Sequence, residues 1–127
     1  MQALVSYAQK LEPVPQRFLA LKDDSFAVPE CQTPVRIFPE YKDGTLHFYA
    51  DIDVRRSPTV AAFLSIAFSA VNDQPPEVTL AIPDDFVRVV MQSIGLGTRE
   101  VGLDALVARL KRNASAARGS GIGNVDP

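Results

Sequence analysis

The chain contains one cysteine, Cys31, and a thiol is the side chain here with the widest reactivity. Cys31 lies in Pro29-Glu30-Cys31-Gln32-Thr33-Pro34, directly ahead of an alternating apolar segment, so no periodicity requires it to face a core. Only a thiolate is nucleophilic, and a nearby cation favours that form. Arg36 or a more distant arginine could supply the cation, whereas Glu30 opposes ionisation. Two interpretations stay open: a nucleophilic thiol at a loop tip, or a small buried apolar side chain.

His47 is the only histidine, so any Cys-His pair must use it. Its position between Leu46 and Phe48 predicts the opposite, solvent-facing side of a strand. Asp51 and Asp53 would share a face if that strand continued, which suggests a carboxylate pair or a cation site. Calcium prefers about 6 to 8 oxygen ligands, so a strand exit with turn-forming aspartates is the favoured interpretation. We expect no metal ion and no cofactor.

Two residues near the start of the last predicted helix are locally unfavourable. Arg99 falls in the first turn, where a cation opposes the helix dipole. Gly102 costs about 1 kcal/mol relative to alanine inside a helix, so close approach of another backbone is one explanation. Ordinary tolerance is the alternative for both residues.

The composition limits the classes of protein to which the chain can belong. A length of 127 residues, with 46% hydrophobic and 22% charged residues, predicts one globular domain. A net charge of -2 and a pI near 5.3 argue against nucleic acid as a partner. A lone cysteine fits a reducing compartment, and the amino terminus has neither a signal-peptide nor a transit-peptide pattern. The longest uncharged run, residues 57–72, is too short for a membrane span. We therefore expect a cytoplasmic protein or a processed form from the plastid stroma.

Periodicity and turn signals place the elements that must position these side chains. The pattern predicts a helix within residues 1–11, a long ordered loop over 12–30, a hairpin over 35–50 and helices beginning near residues 58, 76, 83 and 98. Asp43-Gly44 predicts a type I′ turn, and Pro39 predicts an edge strand or a bulge. Ser57 and Pro58 predict an N-cap and a first helical residue, and the last helix is expected to end near Ala114.

This order predicts a segregated α+β fold. A small antiparallel sheet is expected to form one layer of a two-layer domain, with helices packed on one face. The predicted domain covers residues 1–113, and residues 114–127 are expected to form a flexible tail because they have little to bury.

Several short motifs, in this order and spacing, resemble the SufE-type proteins of Fe-S metabolism. The resemblance covers about residues 1–113. The matching segments are Leu4-Val5-Ser6-Tyr7-Ala8, Leu11-Glu12-Pro13, Glu30-Cys31-Gln32-Thr33-Pro34-Val35, Leu46-His47-Phe48-Tyr49-Ala50-Asp51, Ser57-Pro58-Thr59-Val60, Ile82-Pro83-Asp84-Asp85-Phe86, Arg99 and Gly102-Leu103.

The resemblance implies the two-layer fold shared with scaffold-type cluster assembly proteins, and one essential thiol, Cys31. Such a protein accepts persulfide sulfur from a cysteine desulfurase, stimulates that enzyme and passes the sulfur to an Fe-S scaffold complex. It is an accessory protein and binds no pyridoxal phosphate. The family pattern implies that Arg99 acts in docking or in control of the cysteine loop, and we expect Gln32 and Glu30, on either side of the thiol, to contact the partner as well. We expect neither nucleic acid nor a membrane as a partner, and a monomer or weak homodimer.

Three departures from the family pattern bear on partner choice. Glu30 stands where many members have glycine, the usual extra amino-terminal helix of about 20 residues is missing, and the Lys-Gly of the central helix reads Ala61-Ala62. Two other functions stay open: a non-catalytic interaction domain with an idle Cys31, and a thiol enzyme that uses Cys31 as nucleophile and His47 as base.

Overall fold

The structure is a computed structural model that describes residues 2–21, 24–29, 33–93 and 102–120. Within these ranges, three short helical elements come first along the chain, one β-hairpin follows, and four more helices come after it. They are α1 (Gln2–Gln9), α2 (Gln16–Leu19), a 3-10 helix (Asp24–Phe26), β1 (Val35–Lys42), β2 (Thr45–Ile52), α3 (Pro58–Val71), α4 (Pro76–Leu80), α5 (Phe86–Ser93) and α6 (Leu103–Ser120). This order confirms the predicted α+β class.

The sheet is an antiparallel hairpin of two strands, β1 and β2. Its register runs from Lys42 opposite Thr45 to Val35 opposite Ile52. Asp43 and Gly44 have φ angles of 54° and 81°, as a type I′ turn requires at both central residues. The predicted turn is therefore confirmed. The twist of this turn matches that of the strands. Its two-residue length fixes which residues lie opposite one another.

The central helix α3 forms the middle of the core. It carries no charged residue, and nine of its fourteen residues are buried. A helix that is apolar on most of its circumference must be covered on several sides. Here β2 packs against one side and α1 against another, while α6 packs on β1. The inner face of the hairpin supplies Ile37, Leu46 and Phe48, each no more than 1% exposed.

The second face of the hairpin is also covered, which the one-sided prediction does not include. Phe38 points to this face and is fully buried. Its ring centroid lies 5.3 Å from that of Phe18 in α2 and 4.8 Å from that of Phe26 in the 3-10 helix. The predicted long loop therefore covers the outer face of the sheet: α2, the 3-10 helix and the chain from there to Pro29 form a lid. Phe18 and Phe26 are the aromatic residues that pack this lid against Phe38.

The free edge of β2 is closed by the chain that follows α3. Leu46 donates its N–H to the Gln74 carbonyl and accepts the Asp73 N–H, at 2.9 and 2.8 Å. The side chain of Asn72 accepts the N–H of Phe48 and donates to its carbonyl, at 2.8 and 3.1 Å. Asn72 thus occupies the place of a neighbouring strand residue and satisfies backbone groups that an edge would leave unpaired.

The last helix differs from its predicted bounds. It continues to Ser120, so the predicted end near Ala114 is wrong: Ala114 and Ala117 are buried and extend the apolar stripe. The proposed domain boundary at residue 113 falls inside this helix. Gly102 precedes the helix and has a φ angle of 98°. That backbone conformation, which glycine adopts readily, explains the residue better than close approach inside a helix. The predicted start of this helix, near residue 98, lies outside the described residues.

Candidate functional site

The sequence-predicted site residues Glu30, Cys31, Gln32 and Arg99 lie outside the described residues. The chain on both sides of the cysteine is described, because Pro29 and Thr33 flank the three-residue segment 30–32. The positions of Pro29 and Thr33 show which part of the fold is connected to the cysteine segment at each of its ends.

Pro29 and Thr33 both line a cavity of about 840 Å³ at one end of the hairpin. The first turn of chain after β2 and the start of α3 complete its walls. The lining residues are Ala27, Val28, Pro29, Thr33, Pro34, Val35, Arg36, Asp51, Ile52, Asp53, Arg56 and Ser57. The cavity combines apolar side chains with two arginines and two aspartates. It has the volume of a small-molecule pocket, and its lining includes the two residues that flank segment 30–32.

A cross-strand ion pair stands in the wall of this cavity. Arg36 and Asp51 lie directly opposite each other in the hairpin, and the guanidinium Nε and Nη2 donate to one carboxylate oxygen at 3.1 and 2.6 Å. Nη1 donates to the carbonyl of Leu21 at 3.1 Å. Arg36 therefore ties the loop ahead of the cysteine segment to the sheet, and it fixes a partly buried cation beside the cavity.

The turn after β2 is fixed by Asp53. Its Oδ1 accepts the backbone N–H groups of Arg55 and Arg56 at 3.1 and 3.2 Å, and its carbonyl accepts the N–H of Ser57 at 3.0 Å. This is the turn-forming role predicted for an aspartate at the strand exit. Asp51 has a different role, since it pairs with Arg36. The two carboxylates do not form a shared cation site.

Ser57 is the N-cap residue of α3, as predicted, and Pro58 follows it, but its side chain makes no capping hydrogen bond. The Ser57 hydroxyl instead points to the Thr33 hydroxyl, with an O–O distance of 3.5 Å that is long for a hydrogen bond. Thr33 is two residues after Cys31. The start of the central helix therefore lies beside Thr33, where the described chain resumes after the cysteine segment.

His47 occupies a different part of the sheet. It faces away from the core as predicted, but its side chain is 20% exposed and lies between two carboxylates instead of facing open solvent. Nε2 lies 2.7 Å from Glu12 Oε1, and Nδ1 lies 2.9 Å from Asp73 Oδ1. Asp51 lies four positions beyond His47 along β2, a span of roughly 13 Å. Both ring nitrogens are engaged, so His47 has no nitrogen available as a base in this arrangement.

Burial of the His47 ring lowers its pKa, but the hydrogen bonds and charges of Asp73 and Glu12 outweigh burial and raise the pKa above its ordinary value of 6.5. The ring borders a second cavity, of about 440 Å³, whose lining includes Lys10, Ser65 and Asn72. Pro29 and Thr33 do not line this second cavity. The described geometry does not bring His47 to the cavity beside the cysteine segment.

Other classes of site are limited by the described residues. Within 2–21, 24–29, 33–93 and 102–120, no cluster of three or more His, Cys, Asp or Glu side chains could hold a metal ion. In the same ranges, no helix has both the length and the apolar character that crossing a membrane requires.

The ion pair in the cavity wall goes beyond the sequence prediction. The sequence suggests Arg36 only as a cation for the thiol and does not assign it a partner. A signal for the pair is present, because counting outward from the two-residue turn at Asp43-Gly44 places Arg36 opposite Asp51. Arg56 has no such signal, because nothing in the local pattern tells an arginine beside a cavity from one on an open surface.

Comparison with known proteins places this geometry in a family. Two proteins of Mycobacterium tuberculosis, from the CDC 1551 / Oshkosh and ATCC 25618 / H37Rv strains, are named uncharacterized SufE-like proteins. Each is 29% identical over 121 residues, covering 92% of this chain and 81% of the relative. The solution structure of a hypothetical protein from Thermus thermophilus is similar, with a TM-score of 0.74 and 28% identity over 93% of this chain and 83% of that one.

The model of the SufE family, described as an Fe-S metabolism associated domain, matches residues 1–114. That range includes both strands, the cavity and Cys31. The chain belongs to the SufE family.

Proposed function

We propose that the chain is a sulfur acceptor and carrier that works with a cysteine desulfurase. It receives persulfide sulfur on Cys31, passes it to an Fe-S scaffold complex and stimulates the desulfurase by removing the sulfur that blocks it. The observation that carries this proposal is the match of the family model to residues 1–114, which include the chain's only cysteine. The proposed place of action is the cytoplasm, and the protein is an accessory protein without a cofactor.

The proposed transfer is a thiol-persulfide exchange. The Cys31 thiolate attacks the terminal sulfur of a cysteine persulfide on the desulfurase. A new S–S bond forms on Cys31, the S–S bond of the donor breaks, and the electron pair leaves with the donor thiolate. No external oxidant or reductant is needed. A lone cysteine suits a carrier, because a second nearby thiol would resolve the persulfide to a disulfide and release sulfide.

The cavity beside the cysteine segment supports this chemistry. The reactive form of Cys31 and its persulfide are both anionic, and cations favour such forms. Arg36 supplies a guanidinium group in the lining, and Asp51 neutralises part of its charge. Apolar neighbours such as Val28 and Pro29 would limit contact of a bound sulfur with water. Glu30, Gln32 and Arg99 are proposed to contact the desulfurase.

The direct test is sulfur transfer in a purified system. The protein is mixed with a cysteine desulfurase and labelled cysteine, and the intact mass is measured. We expect one added sulfur, located on Cys31, and faster turnover of the desulfurase. Cys31→Ser should remove both the added mass and the stimulation.

The Cys31→Ser variant also separates the proposal from its rivals. Stimulation that survives in this variant would support the non-catalytic interaction domain and reject the carrier. For the thiol enzyme, the matched variant is His47→Gln, which removes the only histidine. We expect this variant to accept sulfur at the wild-type rate near pH 7, and a loss of acceptance would favour a Cys-His pair.

A further inference from the structure

We propose that Arg55 and Arg56 form a docking surface for an acidic segment of the protein that donates the persulfide. This inference rests on the proposed function and deepens it, because it names the part of the chain that recognises the donor. Both side chains are exposed, and Arg56 lines the same cavity as Pro29 and Thr33, the described residues on either side of the cysteine segment.

The turn that carries the two arginines is held in place. Asp53 Oδ1 accepts the N–H groups of both residues, and the Asp53 carbonyl accepts the N–H of Ser57, which begins α3. Val54, between Asp53 and Arg55, packs against the buried Ala8, Ala61 and Ala62. The backbone of the turn is therefore fixed on the core, while the guanidinium groups point away from it. A partner meets these charges in a defined position.

The two guanidinium groups are unpaired in the described part of the chain, unlike four of the other six arginines there. Arg17, Arg36, Arg88 and Arg118 each have a carboxylate within 3.2 Å. Neither Arg55 nor Arg56 has such a partner within the described ranges. The two carboxylates that line the same cavity as Arg56 are engaged elsewhere, since Asp53 accepts the turn's own N–H groups and Asp51 pairs with Arg36. Arg55 and Arg56 thus place two adjacent cations without a carboxylate partner on one exposed turn, in a chain whose net charge is -2.

An acidic protein segment is the occupant that fits this surface. Guanidinium groups bind carboxylates through paired hydrogen bonds, and two neighbouring arginines can hold two acidic side chains. Nucleic acid is a poorer fit, because the chain as a whole repels phosphate. In the proposed function the sulfur arrives on a protein, so that protein must contact the surface around the cavity. Charges at such a rim mainly raise the rate of association and set the orientation.

The test is the double charge reversal Arg55→Glu with Arg56→Glu. Its matched control is Lys42→Glu with Arg112→Glu, which changes the net charge by the same amount at two exposed residues outside the cavity lining. Lys42 sits at the hairpin turn, seven residues along β1 from Val35 and so roughly 23 Å from the cavity end of the sheet. Arg112 lies on α6.

The measured quantity is transfer of sulfur from the desulfurase as a function of acceptor concentration. We expect the Arg55 and Arg56 reversal to raise the half-saturating concentration about tenfold at low salt, and by less at 0.5 M salt, where the Debye length falls to a few Å. The control should change it less than about twofold. Persulfuration of Cys31 by inorganic polysulfide needs no docking, and at 0.5 M salt, where charge repulsion of this anion is screened, it should be equal in all three proteins.

Each outcome is decisive. An unchanged half-saturating concentration in the Arg55 and Arg56 reversal, with normal transfer to the wild type, overturns the docking surface and leaves the carrier function standing. Equal losses in the reversal and its control also overturn it, since net charge alone then explains the effect. If the wild type accepts no sulfur from the desulfurase, both proposals fall. Reduced reaction with polysulfide would reassign the arginines to the chemistry of the thiol.

Discussion

The His47 side chain connects three separate parts of the chain. Its ring lies on β2, Glu12 follows α1, and Asp73 follows α3 with a φ angle of 65°. The ring of Tyr49 packs beside it, with centroids 4.7 Å apart. Burial and the charges of Glu12 and Glu40 raise the pKa of Tyr49 above 10.0, so this neighbour stays neutral throughout the range in which histidine titrates. His47 and its two carboxylates therefore form an isolated titrating group.

His47 predicts a specific dependence of stability on pH. Its pKa is higher in the folded protein than the unfolded value near 6.5, so protonation stabilises the fold. This stabilisation is complete below about pH 6.5 and is lost as the pH rises through the folded pKa. For partly exposed ion pairs we expect about 1 kcal/mol in total. The measurement is the free energy of unfolding in urea, from pH 5.5 to 8.5, for the wild type and His47→Gln.

The difference between the two proteins should shrink as the pH rises, and subtracting the variant removes contributions from all other groups. Asp73→Asn, which tolerates the positive φ angle, and Glu12→Gln should each reduce the effect in part. A difference that stays constant across this range would contradict the role of the carboxylates.

At the scale of elements, the sequence allows the hairpin to be predicted down to its register. Alternation gives the strands, and Asp43-Gly44 gives the turn from which Arg36 falls opposite Asp51. Proline signals place the starts of α3, α4 and α5 to within a few residues, whereas α6 extends six residues past its predicted end near Ala114. The closure of the β2 edge by Asn72 is not predictable, because an asparagine after a helix looks the same whether it caps the helix, makes a turn or bonds a strand 24 residues away. The lid over Phe38 escapes prediction for a similar reason, since scattered aromatics in a loop have no period.

The two hydrogen bonds of the Asn72 side chain to Phe48 should make a measurable contribution to the free energy of unfolding. Asn72→Ala should leave both the N–H and the carbonyl of Phe48 without partners, in a partly buried place, and cost about 1–3 kcal/mol of unfolding free energy. Asn72→Asp keeps the acceptor for the N–H but loses the donor to the carbonyl, so its cost should be intermediate. The measurement is equilibrium unfolding in urea.

Gln74→Ala is the control for the edge, because Gln74 contributes its backbone carbonyl to Leu46 and no side-chain bond to β2 within the described residues. We expect a change below about 0.5 kcal/mol. Equal costs for Asn72→Ala and Gln74→Ala would show that the side chain of Asn72 does not stabilise the edge.

For the molecule as a whole, the lid connects the amino-terminal part of the chain to the candidate site. It is held by ring contacts of Phe18 and Phe26 with Phe38, and by the N–H of Val28, which donates to the Val35 carbonyl at 3.1 Å. The lid then ends at Pro29, on the rim of the cavity beside the cysteine segment. Packing on the outer face of the sheet therefore fixes one side of the cavity. A substitution that weakens this packing should loosen the cavity wall while the core remains folded.

Phe26→Ala tests this coupling. Phe26 is partly buried, so its loss should cost about 1–2 kcal/mol, and the cost should fall on the lid more than on the hairpin. Exchange of the Val28 amide hydrogen should become about 5- to 30-fold faster relative to the hairpin amides. Phe86→Ala is the matched control, because Phe86 is also partly buried and its ring packs edge-on against Phe63, 5.8 Å away in the core. It should destabilise the protein without a selective loss of protection at Val28. If both variants change the exchange rates of the Val28 amide and the hairpin amides in the same ratio, the lid and the core unfold as one unit. Packing on the outer face of the sheet then does not position the cavity independently of the core.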